Sequence, residues 1–183
     1  SNELDKLDLI DFLKSISNSK ENTAGTSWVG KRDMIDLCRV IKDYYYNPYT
    51  KGSNSIKKVL PAVFEVSKVV KSKYSQPIGS IGINSKNFKP NKIWLLANAD
   101  GSIIDPYKNL PKPFDEFEED FELISELDEL TDGGAALTAY GKLQYTDMDQ
   151  KERDAISDAL LRYCELDTLA MVMICEHLRE LTN

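Results

Sequence analysis

The stretch Leu160-Leu-Arg-Tyr-Cys-Glu-Leu-Asp-Thr-Leu-Ala-Met-Val172 decides the fold, because it forms the centre of the strongest apolar helical pattern in the chain. Between residues 159 and 178, apolar side chains occupy nearly the whole helical circumference, which is typical of a central helix. The pattern predicts a buried C-terminal helix with a break or bend near residues 161–164. We expect its narrow exposed stripe to consist of Arg162, Glu165, Glu176 and Arg179.

Asp167 is the unexpected residue of this helix. At 3.6 residues per turn it falls on the apolar side, one turn after Tyr163. Burying an unpaired carboxylate is costly, so Asp167 should have a cation, a metal or a strong hydrogen-bond donor. The alternative is that Asp167 caps a helix that restarts after a break at residues 163–164.

Charge is distributed unevenly along the chain. The 183 residues carry a net charge of −7, which argues against indiscriminate binding to nucleic acid or to an anionic membrane. Residues 1–30 contribute −2, residues 31–92 contribute +9 and residues 93–183 contribute −14. The central segment also contains five tyrosines, a composition typical of surfaces that follow a phosphate backbone and stack bases. Alternatively, it is a solvated basic face neutralised by the acidic half of the same fold.

Four residues of the basic segment are candidate nucleic-acid contacts. Lys57 and Lys58 follow the capping serines Ser53 and Ser55, so we expect them in the first turn of a helix, where backbone N–H groups receive phosphates. The alternative is that both lysines simply face solvent. Two tyrosines are the candidates for stacking on bases, Tyr45 and Tyr46.

The sequence as a whole indicates two regions. Residues 1–30 comprise an amphipathic helix over residues 4–16 and a polar linker, and Ser1-Asn2 has the sequence of a tag-cleavage scar. Residues 31–183 form the main domain. Within it, residues 75–113 are irregular, and such long irregular segments usually cover or form a site. A short helix should follow from residue 133 to residue 143, after an acidic run over residues 115–129 that we interpret as a solvated helix face.

Several classes of protein are excluded by composition. No window approaches the roughly 18 apolar residues of a membrane span, and the N-terminal residues lack the pattern of a signal peptide, so a cytoplasmic protein without a membrane partner is predicted. The single histidine and the three cysteines, none in a CxxC pair, argue against a zinc site and against most histidine-based catalysis.

These residues carry a resemblance to a known superfamily. Tyr163-Cys-Glu-Leu-Asp167 resembles the third exonuclease motif of the tyrosine-containing branch of the DEDD superfamily, which has an RNase H-like fold. Met34-Ile-Asp-Leu37, the tyrosine run with Asn47-Pro48, and Gly52-Ser-Asn-Ser-Ile-Lys-Lys-Val-Leu-Pro61 resemble the strand, helix and helix entry that lie between the second and third motifs. With Leu130-Thr-Asp-Gly-Gly-Ala-Ala136, the pattern from about Lys31 to Leu181 is similar to the C-terminal half of an uncharacterised bacterial domain-of-unknown-function family in that superfamily.

The resemblance implies an α/β fold, largely helical in this portion of the chain, and a hydrolase. Such enzymes use four carboxylates to hold two Mg²⁺ or Mn²⁺ ions, and they hydrolyse the terminal phosphodiester at a 3′ end of DNA or RNA. Asp167 would be a metal ligand and Tyr163 would position the attacking water, so both would be catalytic residues. Single-stranded DNA or RNA with a 3′ end is the implied partner.

The first two motifs have no counterpart in residues 1–35. We therefore expect a C-terminal fragment that is inactive alone and binds Mg²⁺ or Mn²⁺ weakly or not at all. The full-length parent would hold the ions, and its remaining N-terminal part is the expected partner. The alternative is a nuclease-derived module without catalysis that binds nucleic acid or a protein, and a third possibility is a purely structural domain.

Overall fold

A computed structural model of the chain describes residues 2–19, 27–111 and 133–182. They are mostly helical and include one small two-stranded sheet, in agreement with the prediction of a largely helical chain. The chain divides into two compact units, Ser1–Tyr45 and Tyr46–Asn183, so the predicted boundary after residue 30 lies inside the first unit. None of the helices described is long and apolar enough to cross a membrane.

The first unit contains two helices and the sheet. Helix α1 (Asn2–Ser15) confirms the predicted N-terminal helix, and strands β1 (Asn18–Ser19) and β2 (Trp28–Val29) pair in antiparallel register. Helix α2 (Leu37–Tyr44) completes this unit. Gly30 follows β2 where a Cβ atom would overlap the carbonyl oxygens of Lys14 and Ser15 at the end of α1, so only glycine allows the chain to pass there.

The expected strand over Met34–Leu37 is wrong. Residues 33–36 have no regular secondary structure, and α2 begins at Leu37. The Asp36 carboxylate accepts a hydrogen bond of 3.1 Å from the backbone N–H of Arg39, which makes Asp36 the N-cap of α2. Aspartate strongly favours this cap position, and the side chains of Met34 and Ile35 are exposed rather than packed in a sheet.

The second unit is built around one long helix. Helices α3 (Ile56–Val66), α4 (Lys68–Tyr74) and α5 (Gly133–Tyr145) each pack against α6 (Gln150–Thr182). Helix α5 confirms the short helix predicted from residue 133. The acidic run over residues 115–129 lies outside the described residues. The core consists mainly of fully buried apolar side chains from α3, α4 and α6, among them Leu60, Val63, Phe64, Val70, Leu166, Ala170 and Met173.

Helix α6 differs from its prediction in two respects. It is continuous through residues 161–164, so the predicted break is absent. It is also buried on one face only, because its neighbours pack on one side, and the apolar side chains of Leu161, Met171 and Val172 are exposed. Of the predicted polar stripe only Arg179 is exposed, while the other three residues are half-buried.

Two carboxylates near the end of α6 hold α4 in place. Glu180 accepts hydrogen bonds from the Ser67 hydroxyl at 2.5 Å and from the backbone N–H groups of Lys68 and Val69. The hydrogen bond from Ser67 lowers the pKa of Glu180. Partial desolvation of the Glu180 carboxylate acts in the opposite direction but is the smaller effect. One turn earlier, Glu176 forms a 2.6 Å ion pair with Lys73.

Residues 75–111 form an ordered but irregular segment anchored by Trp94. The Trp94 side chain is only 2% exposed and makes an edge-to-face contact with Phe88, with ring centroids 4.8 Å apart. The segment is tied to α4 by a hydrogen bond from the Leu95 N–H to the Tyr74 carbonyl, and to α6 by Asn87, whose amide donates to Glu165 at 2.6 Å. These two hydrogen bonds therefore attach the segment to α4 and to α6.

Candidate functional site

Three parts of the second unit bring their side chains together around Asp167. Tyr163 and Asp167 lie one turn apart on the unbroken helix α6, as the sequence predicted. Lys57 comes from the first turn of α3, and Tyr107 comes from the irregular segment. We refer to Lys57, Tyr107, Tyr163 and Asp167 as the tyrosine–aspartate cluster.

Asp167 has a strong hydrogen-bond donor, as its position required. The hydroxyl of Tyr107 donates to Asp167 Oδ1 at 2.7 Å, and Tyr107 itself is only 5% exposed. Burial raises the pKa of Tyr107. The hydrogen bond to Asp167 and the negative charge of the Asp167 carboxylate raise this pKa further. The phenol is therefore a neutral donor at every ordinary pH. Because Asp167 lies in the interior of α6, the alternative in which it caps a helix start is wrong.

Lys57 contacts both aromatic rings of the cluster. Its Nζ lies 4.9 Å from the ring centroid of Tyr163 and 5.6 Å from that of Tyr107. The two ring centroids are 6.1 Å apart, with an angle of 56° between the ring planes. Cation–π contacts of this kind contribute about 0.5–2 kcal/mol, depending on how far the cation is desolvated. Lys57 is thus half-buried over the tyrosines and does not simply face solvent.

The start of α3 explains how Lys57 reaches the cluster. Ser55 takes the N-cap position, although its side chain makes no capping hydrogen bond, and the Ser53 hydroxyl accepts from the Ser55 N–H. Lys57 is then the second helical residue, on the side of α3 that packs towards α6. Pro61 lies inside the helix and has no N–H to donate to the Lys57 carbonyl, which leaves this turn less constrained.

The other candidate nucleic-acid residues are not part of this cluster. Lys58 is exposed on α3, and Tyr46 is 87% exposed just before the 3₁₀ turn of Pro48–Thr50. Tyr45 is half-buried and belongs to the first unit, so the proposed set of four is divided between the units. Tyr49 was not selected from the sequence, yet it is also exposed on that turn.

The donor atoms of Asp167 suit a divalent cation in part. Mg²⁺ and Mn²⁺ prefer carboxylate oxygens, and Asp167 offers one carboxylate beside the phenol of Tyr163. Within residues 2–19, 27–111 and 133–182, no group of three or more histidine, cysteine, aspartate or glutamate side chains is placed to hold a metal ion. The described residues around Asp167 therefore do not form a metal site by themselves, and Asp167 is one carboxylate beside two phenols and the Lys57 ammonium.

Tyr107 is the residue that sequence reasoning missed. Its only signal was its place in the long irregular segment, which we expected to cover or form a site. Asp105 accepts a 3.0 Å hydrogen bond from the Tyr107 N–H and so shapes the turn that directs Tyr107 towards α6. No residue spacing within one helix or strand could have paired Tyr107 with Asp167, 60 positions away.

The tyrosine–aspartate cluster thus combines a carboxylate, two phenols and an ammonium group at one place in the second unit. Such a set can offer an oxygen ligand to a cation, hydrogen bonds to water and a positive charge to an anion. Comparisons with protein families, with curated proteins and with solved structures find no match for this chain.

Proposed function

We propose that this chain is the C-terminal part of a metal-dependent 3′–5′ exonuclease-like protein with an RNase H-like fold, acting on 3′ ends of single-stranded DNA or RNA. The observation that carries the proposal is the contact between Lys57 and Tyr163. These residues belong to separate segments of the resemblance, Gly52–Pro61 and Leu160–Val172. The two segments are about 100 residues apart in sequence, and their meeting in space supports a shared site.

In this proposal each residue of the cluster has a defined role. Asp167 is one carboxylate ligand, and the Tyr163 hydroxyl positions a water. Lys57 holds the Tyr163 ring in place through the cation–π contact. Mg²⁺ or Mn²⁺, when bound, supplies an activated water and stabilises the charge on the phosphodiester. The remaining ligands come from the N-terminal part of the parent protein, so the present chain does not hydrolyse 3′ ends by itself.

The substitution Asp167→Asn tests the metal role. We expect Mn²⁺ to broaden the amide NMR signals of residues 163–170 in the original chain, and to do so at least about tenfold less effectively in the variant, because an amide oxygen is a much weaker ligand for a hard cation. A fluorescently labelled single strand with a free 3′ hydroxyl should remain uncut by the chain alone.

Asp158→Asn is the matched control. Asp158 lies on the same helix, nine residues earlier, and its exposed side chain is paired only loosely with Arg162, at 3.7 Å. This variant should leave the broadening near Asp167 unchanged. Equal broadening in the Asp167→Asn variant and the original chain would show that Asp167 is not a ligand. Cutting by the chain alone that Asp167→Asn abolishes would contradict the expected incompleteness.

A non-catalytic module that binds single-stranded nucleic acid is the second candidate. Residues 46–111 contain ten lysines and three acidic residues, a net charge of +7. Tyr46 and Tyr49 expose their rings beside this positive charge. Aromatic rings among lysines favour a single strand, whose bases can stack while its phosphates are neutralised.

Lys58→Glu distinguishes this candidate. If residues 46–111 bind a strand, the variant should bind a fluorescent oligonucleotide several-fold more weakly, and the slope of log affinity against log salt should fall by about one phosphate contact. Lys6→Glu makes the same charge change on α1 and should have little effect. Binding that is insensitive to both chelator and Asp167→Asn would favour the module over the exonuclease, and equal losses in both lysine variants would indicate only a general effect of net charge.

A further inference from the structure

We infer that the outer face of α6 binds a second copy of this chain, with the two α6 helices antiparallel. The inference goes beyond the proposed function, because no residue of the tyrosine–aspartate cluster takes part in it. Its basis is a stripe of uncharged side chains on the side of α6 opposite its buried face. We call this stripe the α6 seam, and it consists of the exposed Leu161, Cys164, Thr168, Met171 and Val172 and the half-buried Cys175 and Leu178.

The α6 seam has the residue spacing of a helix-pairing surface. From Leu161 to Leu178 its members recur at alternating steps of three and four residues, the spacing that keeps apolar side chains in line towards a partner helix. At 1.5 Å per residue the seam is about 26 Å long. The Thr168 hydroxyl donates to the Cys164 carbonyl at 2.9 Å, so this polar group is already satisfied within α6. Contiguous exposed apolar surface of this kind marks an interaction site, whereas scattered apolar residues do not.

The acidic residues of the same stretch are bonded to other parts of the second unit. Glu165, Asp167 and Glu176 lie beside the seam, and each carboxylate binds a side chain of α4 or of the irregular segment at 2.6–2.7 Å. Among the described residues of α6 from 159 to 178, none of the exposed side chains is charged. A second helix can therefore cover the seam without leaving any of these three carboxylates unpaired.

The charges at the two ends of the seam favour a second copy as the occupant. Asp158 precedes the seam with an exposed side chain, and the exposed Arg179 follows it. In a two-fold symmetric dimer each contact occurs twice, with the two residues exchanged between the copies. Antiparallel helices would bring Asp158 of each copy beside Arg179 of the other, whereas parallel helices would bring like charges together. The present pair of Asp158 with Arg162, at 3.7 Å and exposed, contributes little that would be lost.

The same antiparallel alignment matches the seam to itself. With Leu161 of one copy opposite Leu178 of the other, Cys164 lies opposite Cys175 and Thr168 lies opposite Met171, because the two sequence numbers of each pair add up to 339. Each pair joins a side chain from one row of the spacing to a side chain from the other row, so the apolar surface is continuous over the whole contact.

Sedimentation equilibrium of the full chain tests the dimer. The original chain should form dimers, and Leu161→Glu should raise the dissociation constant of the dimer at least about tenfold, because each dimer would bury two new charges. Leu137→Glu is the matched control, since it makes the same change at an even more exposed leucine, on α5, and should leave the dissociation constant unchanged. Circular dichroism shows that both variants are folded. A chain that stays monomeric at NMR concentrations, or equal losses in both variants, would overturn the inference.

Exchanging the end charges tests the antiparallel direction. Asp158→Arg and Arg179→Asp should each weaken the dimer several-fold, and the double variant should regain the original affinity, because it restores both opposite-charge pairs. If the double variant dimerises no better than the single ones, the helices are not paired in this way.

Cross-linking through the cysteines gives an independent measurement of direction. In a Cys38→Ser chain, a short bismaleimide should produce a covalent dimer in which Cys164 is joined to Cys175 of the other copy. Within one chain these two residues are eleven positions, or about 16 Å, apart along α6, beyond the reach of such a linker. Peptide mass spectrometry identifies the joined residues, and covalent dimers joined only through Cys164 to Cys164 would contradict the antiparallel arrangement.

Discussion

Replacement of Trp94 by alanine should lower the free energy of unfolding of the second unit by about 3–5 kcal/mol, the usual cost of emptying a fully buried aromatic site. The Trp94 ring packs against Phe88, and the next residue, Leu95, donates a hydrogen bond to the Tyr74 carbonyl at the end of α4. Its indole N–H is buried without a hydrogen-bond partner among the described residues. The cost should therefore come from lost packing and from the lost cation–π contact with Lys92, whose Nζ lies 5.1 Å from the ring centroid, and not from a broken hydrogen bond.

Urea unfolding followed by far-ultraviolet circular dichroism measures this effect. Trp94→Phe retains an aromatic ring and should cost considerably less than the alanine variant. Because the segment also carries Tyr107, limited proteolysis of Trp94→Ala should cut within residues 75–111 at protease concentrations that leave the original chain intact. A loss of stability below about 1 kcal/mol, within the range of a surface substitution, would show that Trp94 does not anchor the segment.

Stability should also decrease steeply above pH 10. Burial is the main cause that raises the pKa of Tyr74 and of Tyr107, and the negative charges of Glu176 and Asp167 add to it. In the unfolded chain tyrosine ionises near its ordinary pKa of about 10. Below that pH the two tyrosines keep their protons in both the folded and the unfolded chain, so their full contribution to stability is present. Above it the unfolded state ionises first, so each tyrosine removes about 1.4 kcal/mol per pH unit until its folded-state pKa is reached.

Single phenylalanine variants isolate this contribution from other alkaline effects. Tyr74→Phe and Tyr107→Phe should each reduce the loss of stability between pH 9 and pH 11 by about 1.4 kcal/mol. Tyr145→Phe removes an almost fully exposed hydroxyl from α5 and should leave the loss unchanged. An identical loss in all three variants would mean that the buried tyrosines ionise as freely when folded as when unfolded.

Local patterns predicted the helices well, but not what the helices contact. The apolar spacing of residues 159–178 indicated helix α6, and the serines before Ile56 placed the start of α3. The nearly continuous apolar surface of α6 suggested burial on every side except a narrow polar stripe. The structure buries one face, because the periodicity of a helix does not reveal how many neighbours pack against it. The strand expected at Met34–Leu37 came from the resemblance, whereas Asp36 forms a helix cap there.

The candidate site could also be predicted only within one helix, and not across the contacts between segments. The sequence placed Tyr163 and Asp167 one helical turn apart. It also indicated that Asp167, a carboxylate on an apolar face, must have a partner. The identity of that partner was not, because Tyr107 reaches Asp167 through the path of an irregular segment. Lys57 could be placed in a first helical turn, but its position over two aromatic rings depends on how α3 packs on α6.

The contact of Glu180 with the start of α4 has a consequence for how the protein is made. Helix α4 has only seven residues, and helices of that length are not stable alone in water. Its first backbone N–H groups and Ser67 are satisfied by a carboxylate that follows 113 positions later. During synthesis, this contact can form only after residue 180 has left the ribosome. Residues 67–74 therefore acquire these hydrogen bonds late in synthesis, whatever their earlier contacts with α3.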